Sequence, residues 1–142
     1  MKNPVLAIKE TIKALLGDNF IANGETVQVF ADPPQKAPDY FIWSMCVTQT
    51  DIGAKDTFIT DVDYEITCVD RASNATGDTL TLEYISDAVT EAMVLRGGIT
   101  SANANFKLLS VVLTDSTDGK MLVQERTESW RKLRLLIKCE QL

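Results

Sequence analysis

The spacing of apolar residues is helical at the start of the chain and mostly of period two afterwards. Asn3 followed by Pro4 makes a good N-cap and first-turn pair. Val5, Ile8, Ile12, Leu15 and Leu16 then share one helical stripe that stops at Gly17, which predicts a first helix. Val27, Val29 and Ala31 alternate in a strand over 26–31. Next come Pro33, Pro34 and Pro38, and after them the run Tyr40, Phe41, Ile42 and Trp43. Proline fixes φ and donates no backbone hydrogen bond, so this stretch predicts a rigid connector that sets the offset of the next strand, 39–48. That strand begins with large apolar residues on both faces. A helix of the same chain is the expected cover for one face, and a second subunit is a candidate cover for the other.

The clearest alternation lies in 57–70. Phe58, Val62, Tyr64, Ile66 and Cys68 fall on one face, interrupted only by Thr60, and Asp61, Asp63, Glu65 and Thr67 fall on the other. Polar loops at 50–56 and 70–78 bracket it. A second helix follows, capped by Asp78 or Thr79, with Leu82, Ile85, Val89 and Met93 as its buried stripe and Arg96-Gly97-Gly98 as its stop. Residues 106–114 are apolar on both faces and read as a central strand. "DSTDGK" reads as a turn. The remaining stretch, 121–140, reads as one long strand or two collinear ones. In its second half Leu133, Leu135, Ile137 and Cys139 face one way, Lys132, Arg134 and Lys138 the other, and Leu136 sits among the charges. The pattern predicts one α+β domain spanning 1–142, with element order α-β-β-β-α-β-β. Its mostly antiparallel sheet has about five strands, and both helices pack on one face.

Composition narrows the chemistry. The 142 residues are 45% hydrophobic, enough for one ordinary core, and carry a formal charge of −6. An acidic balance argues against binding nucleic acid through its phosphates. There is no histidine, which excludes imidazole catalysis and histidine-based metal sites. Cys46, Cys68 and Cys139 are far apart in strand-like alternation, the pattern of buried thiols in a reducing compartment. Lysines inside the N-terminal apolar stretch spoil it as a signal peptide, and no apolar run is long enough to span a membrane. The expectation is a soluble protein, intracellular when made.

Asp61, Asp63 and Glu65 at period two invite a Mg²⁺ or Mn²⁺ site, as in a nuclease or phosphatase. Simple alternation produces the same row as a solvated strand face, and that reading is favoured. No phosphate cradle, nucleophile elbow or paired nucleophile and base accompanies the row. No catalytic, cofactor-binding or metal residue is therefore assigned. Arg126, Arg131, Lys132 and Arg134 form a basic run that could grip phosphates, but set against an acidic body it reads more as the positive half of an ion-paired subunit interface. Trp130 reads equally as an interface anchor and as a half-buried strand residue.

The whole succession resembles the tail-completion, or tail terminator, proteins of long-tailed bacteriophages and prophages. The resemblance rests on the short first helix, the strand and proline turn of "VQVFADPPQKAPDYFIW" with its Ala37-Pro38-x-Tyr40 entry, and the strand "DYEITCVDR". A helix of the "LEYISDAVTEAM" kind and a charged closing strand pair complete it. It implies a virion structural protein without an active site or cofactor. Assembled in the bacterial host cytoplasm, such a protein forms a ring, usually a hexamer, on the head-proximal end of the tail tube. The ring stops tube polymerisation and offers a surface to the head's connector.

Its implied partners are further copies of itself, the major tail tube protein and the head-closure or connector protein. DNA passes through the lumen without specific binding. Six copies would carry on the order of −36 in charge, which repels phosphates. A closed ring needs two different edges per subunit. Tyr40 and Trp43, the acidic residues Asp61, Asp63 and Glu65, and the group Trp130, Arg131, Lys132 and Arg134 are the candidate subunit-interface residues. The loops 50–56 and 70–78 are candidates for tube or connector contact. A head-closure or neck protein of the same virion is the nearest alternative, and a metal-dependent nuclease or phosphatase using Asp61 and Asp63 a more distant one.

Overall fold

A computed structural model describes residues 3–22, 24–36, 38–53, 58–71, 80–94, 99–123 and 126–142. Helix α1 (Pro4–Leu16) begins as expected. The Asn3 side chain accepts the Val5 N–H at 3.0 Å, and Gly17, at φ 72°, closes the helix by donating its N–H to the Lys13 carbonyl at 2.8 Å. Its buried face runs through Ala7, Ile8, Thr11, Ile12 and Leu16, while Leu15 turns outward. The Thr11 hydroxyl donates to the Ala7 carbonyl and accepts the Ala102 N–H, tying the helix to the loop before the last hairpin.

Among the described residues, six strands form one sheet: β1 (Asn19–Ala22), β2 (Glu25–Phe30), β3 (Tyr40–Asp51), β4 (Ile59–Asp70), β5 (Phe106–Val123) and β6 (Arg126–Gln141). Their spatial order is β1-β2-β3-β4-β6-β5, and every pairing is antiparallel except β2 with β3. Helix α2 (Leu80–Met93) packs beside α1 on one face of this sheet. The α+β class, the mostly antiparallel sheet and the helices on one face are as the pattern predicts. Strand β1 is additional.

The proline connector explains the one parallel pair. Phe30 lies opposite Trp43, so residues 31–39 carry the chain back only as far as Tyr40. That is about 10 Å, three residues of strand rise. A stiff segment suffices for so short a return, and the pair is limited to Gln28↔Phe41, Val29↔Ile42 and Phe30↔Trp43.

Strand β4 is central. Val62, Tyr64, Ile66 and Cys68 are all fully buried against the two helices, together with Leu82, Ile85 and Val89 of α2 and Leu135 and Ile137 of β6. Phe58 falls outside this stripe and is half exposed just before the strand. The Tyr64 hydroxyl meets the Ser44 hydroxyl at 3.0 Å across the β3–β4 ladder, and burial pushes its ionisation upward. Tyr64→Phe removes that bond and leaves a buried Ser44 hydroxyl unpaired. The expected cost is about 1 kcal/mol, read as a lower midpoint in urea unfolding with an unchanged slope.

Three expectations are corrected at the C-terminal hairpin. Strand β5 is an edge strand, not a central one, and Leu109, Val112 and Leu113 are exposed on it. The "DSTDGK" segment is not a turn. It pairs residue by residue with β6, Asp115 with Arg134 through Lys120 with Ser129, and the chain reverses after Val123. Residues 121–123 therefore belong to β5 and residues 126–141 to β6, so the closing stretch is neither one strand nor two collinear ones but parts of two antiparallel strands. Register shifts at Leu109 and Thr114 bulge the free edge of β5 and break its period of two. The proposed caps Asp78 and Thr79, the stop Arg96-Gly97-Gly98 and parts of the loops 50–56 and 70–78 lie outside the described residues.

Candidate interaction face

The two helices leave the other face of the sheet uncovered. The period of two places Phe41, Trp43 and Met45 there from β3, and Asp61, Asp63, Glu65, Thr67 and Val69 from β4. Trp130, Lys132, Arg134, Leu136 and Lys138 join them from β6. Cross-strand register sets them in rows: Phe41, Val69 and Trp130; then Trp43, Thr67 and Lys132; then Met45, Glu65 and Arg134.

The first two rows floor a groove of about 520 Å³. Pro33 and Pro34 of the connector wall one side and Met121 of β5 the other, with the Arg71–Glu128 ion pair (3.3 Å) at its end. Phe41 makes an edge-on contact with Phe30 of the neighbouring strand β2, centroids 6.1 Å apart. The Trp130 ring crosses β5 directly over Gly119, where any Cβ would collide with it. The rest of the face is a charge ladder. Arg134 contacts Asp63 Oδ2 at 3.3 Å through Nη1 and Glu65 Oε2 at 3.6 Å through Nε, and Lys132 Nζ stands 4.0 Å from Glu65 Oε1.

These positions rearrange the candidate residues. Trp43 and Trp130 share the groove. Tyr40 lies on the opposite face, packed against the core under the helices. The acidic and basic rows do not form separate surfaces, because β4 and β6 are neighbours and their charges meet within one chain. Arg131 points to the helix side, where its guanidinium binds Glu83 of α2, lies 3.7 Å from Asp118 of β5 and donates to Ser116 at 3.5 Å. It clasps the free end of β5 to α2. Arg126 sits at the hairpin end, opposite Val123. Gly119, Met121, Phe41 and the Arg71–Glu128 pair were not anticipated. The Asp-Gly turn signal concealed the first two.

Among the described residues, no group of three or more His, Cys, Asp or Glu side chains could hold a metal ion. Asp63 and Glu65, two of the three carboxylates in the acidic row, are engaged by Arg134. Burial pushes the Cys68 thiol up to about 12, against the pull of Ser86 and Arg131. It pushes Cys139 to about the same value, with a further rise from Asp61. Cys46 is raised by burial and then by Asp63. Thiols so shifted stay protonated at neutral pH and make poor nucleophiles. No described helix is long and apolar enough to cross a membrane.

No protein-family model and no curated protein matches the sequence. Among solved structures, the fold is similar to that of a chain in "Virion of native gene transfer agent (GTA) particle". The TM-score is 0.65 over 94% of this chain and 91% of that one, at 16% identity. The likeness is therefore one of fold, and it extends over nearly the full length of both chains.

Proposed function

We propose that this chain is a structural protein of a phage-like virion, and within it a ring-forming tail terminator. It would cap the head-proximal end of the tail tube, stop tube polymerisation and present a surface to the head connector. The observation that carries this reading is the near full-length fold likeness to a chain of the gene transfer agent virion particle. The uncovered sheet face supports it. Aromatic and apolar side chains line the groove there, and beside it Arg134 and Lys132 meet Asp63 and Glu65 within the chain. Such a face meets protein more readily than it meets a small substrate. Its partners would be other copies of the chain, the tail tube protein and the connector. DNA would cross an acidic lumen without specific binding.

Sedimentation of the purified protein, followed by electron microscopy with tail tubes, tests this. Closed rings, with a cap at one tube end that halts further growth, are the expected result. A strict monomer at high concentration that leaves tube length unchanged refutes it. Rings that bind isolated heads and ignore tubes would assign the head-closure role instead. Nuclease activity lost in the Asp61→Asn/Asp63→Asn variant would replace the structural reading with an enzymatic one.

A further inference from the structure

We propose that the outer half of β5, residues 115–121, is a strap that opens from the sheet while the core stays folded, with Arg131 as its latch. The inference stands apart from the ring reading, because it rests on how unevenly β5 is anchored along its length. In the inner half Phe106 and Leu108 are buried and Val111 packs against the core. In the outer half Asp115, Ser116, Thr117, Asp118, Lys120 and Met121 are all exposed. The register sets Ser116, Asp118 and Lys120 on the helix side, opposite Leu133, Arg131 and Ser129. No apolar side chain of this half therefore reaches under α2.

The two halves meet at the register shift of Thr114, where the Thr114 hydroxyl donates to the Arg134 carbonyl at 3.2 Å. A bulge bends its strand and interrupts the ladder, which makes this the natural hinge. Past it, the strap stands off α2 across two cavities of about 140 and 230 Å³. Leu82 and Glu83 of α2 face Asp118 and Lys120 across the first, and Asp87 and Thr90 face Ser116 across the second.

The Arg131 guanidinium bridges this gap. It binds Glu83 of α2 and, on the strap, stands 3.7 Å from Asp118 Oδ2 and donates to the Ser116 hydroxyl at 3.5 Å. The Glu83 and Asp118 side chains are 44% and 73% exposed, so solvent and salt keep the latch weak. The buried Arg131 Nε has no hydrogen-bond partner among the described residues. Pairing with β6 and the Trp130 ring over Gly119 also hold the strap. A segment that buries so little apolar surface opens well below the free energy of global unfolding. Opening bares the β6 edge from Glu128 to Arg134 and uncovers Leu82 and Leu133, both buried beside the cavities. The closed strap thus keeps a strand edge and two core leucines away from other chains.

Native-state amide exchange, followed by NMR on the intact chain, tests this. The amides of 115–121 that bond to β6 should exchange at least roughly tenfold faster than those of 62–69 in β4. Arg131→Gln and, separately, Glu83→Gln should each speed exchange in 115–121 by about tenfold again and leave 62–69 unchanged. Arg131→Lys, which keeps the charge but loses the planar fork, should fall between. Raising NaCl from about 0.05 to 0.5 M should act on the wild type as the substitutions do, and add little in Arg131→Gln. Equal acceleration of both regions would mark Arg131 as a general stabiliser and overturn the strap. Exchange of both regions together through global unfolding, or no response to either substitution, would overturn it as well.

Discussion

Raising the pH from 8 to 10.5 is expected to remove roughly 2 kcal/mol of stability for each of the two fully buried thiols. Burial moves Cys68 and Cys139 from an ordinary value of 9.0 to about 12. Below pH 9 both states of the protein keep these protons, and stability does not respond to them. Between 9 and 12 the unfolded chain releases them while the folded chain holds them. The unfolded state then binds fewer protons, so stability falls as pH rises, by about 1.4 kcal/mol per pH unit per thiol. Lysine and tyrosine ionisation add a background to the wild-type curve. The informative quantity is therefore the difference from Cys68→Ala and Cys139→Ala, measured by urea unfolding at pH 8, 9.5 and 10.5. Each variant should show a shallower decline than the wild type. Equal declines in all three would refute the buried-thiol account. At pH 8 a thiol reagent should label Cys46 first and reach the other two only through unfolding.

The same residues show which parts of the fold were legible in the sequence. β4 and the two helices were, because Val62, Tyr64, Ile66 and Cys68 repeat every second residue, and Leu82, Ile85, Val89 and Met93 follow a helical period. Their period coincides with their burial. β1 was not, because a four-residue strand shows only two inward residues, Phe20 and Ala22. Its one strong cue was the Asn-Gly pair at 23–24, a hairpin signal that matches the positive φ of Gly24. β5 read as central because its apolar residues occupy both faces. Two bulges bring that about on an edge strand by resetting which way successive side chains point.

The charge ladder was out of reach for a different reason. Alternation tells which residues of a strand share a face, but not which strand lies beside it. α2 and β5 separate β4 from β6 in the chain, and their pairing joins Asp63 and Glu65 to Arg134. Arg131 and Lys132 are adjacent in sequence, yet the pleat sends them to opposite faces. There Arg131 holds a helix and Lys132 lines the groove.

Gly119→Val is expected to damage both the hairpin and the groove. Gly119 does not have the positive φ seen at Gly17 and Gly24, so close approach is what requires glycine there, not backbone freedom. The Trp130 ring occupies the space that a side chain at 119 would fill. A valine must push the indole away or break the β5–β6 ladder, and overpacking of this kind costs about 1–3 kcal/mol. The indole also forms one wall of the groove, so its displacement should open the groove toward β5 as well. In a Trp43→Phe background Trp130 is the only tryptophan, and its emission should shift to the red as the ring enters water. Thr117→Val, an exposed position on the same strand and face, should stay within about 0.5 kcal/mol of the parent. Coupling supplies the sharper criterion. Once Trp130→Ala has removed the ring, Gly119→Val has nothing to collide with, and its cost should shrink in the double variant. Unchanged Trp130 emission together with strictly additive costs would show that the indole does not rest on Gly119. The groove's wall at β6 would then stand without that support.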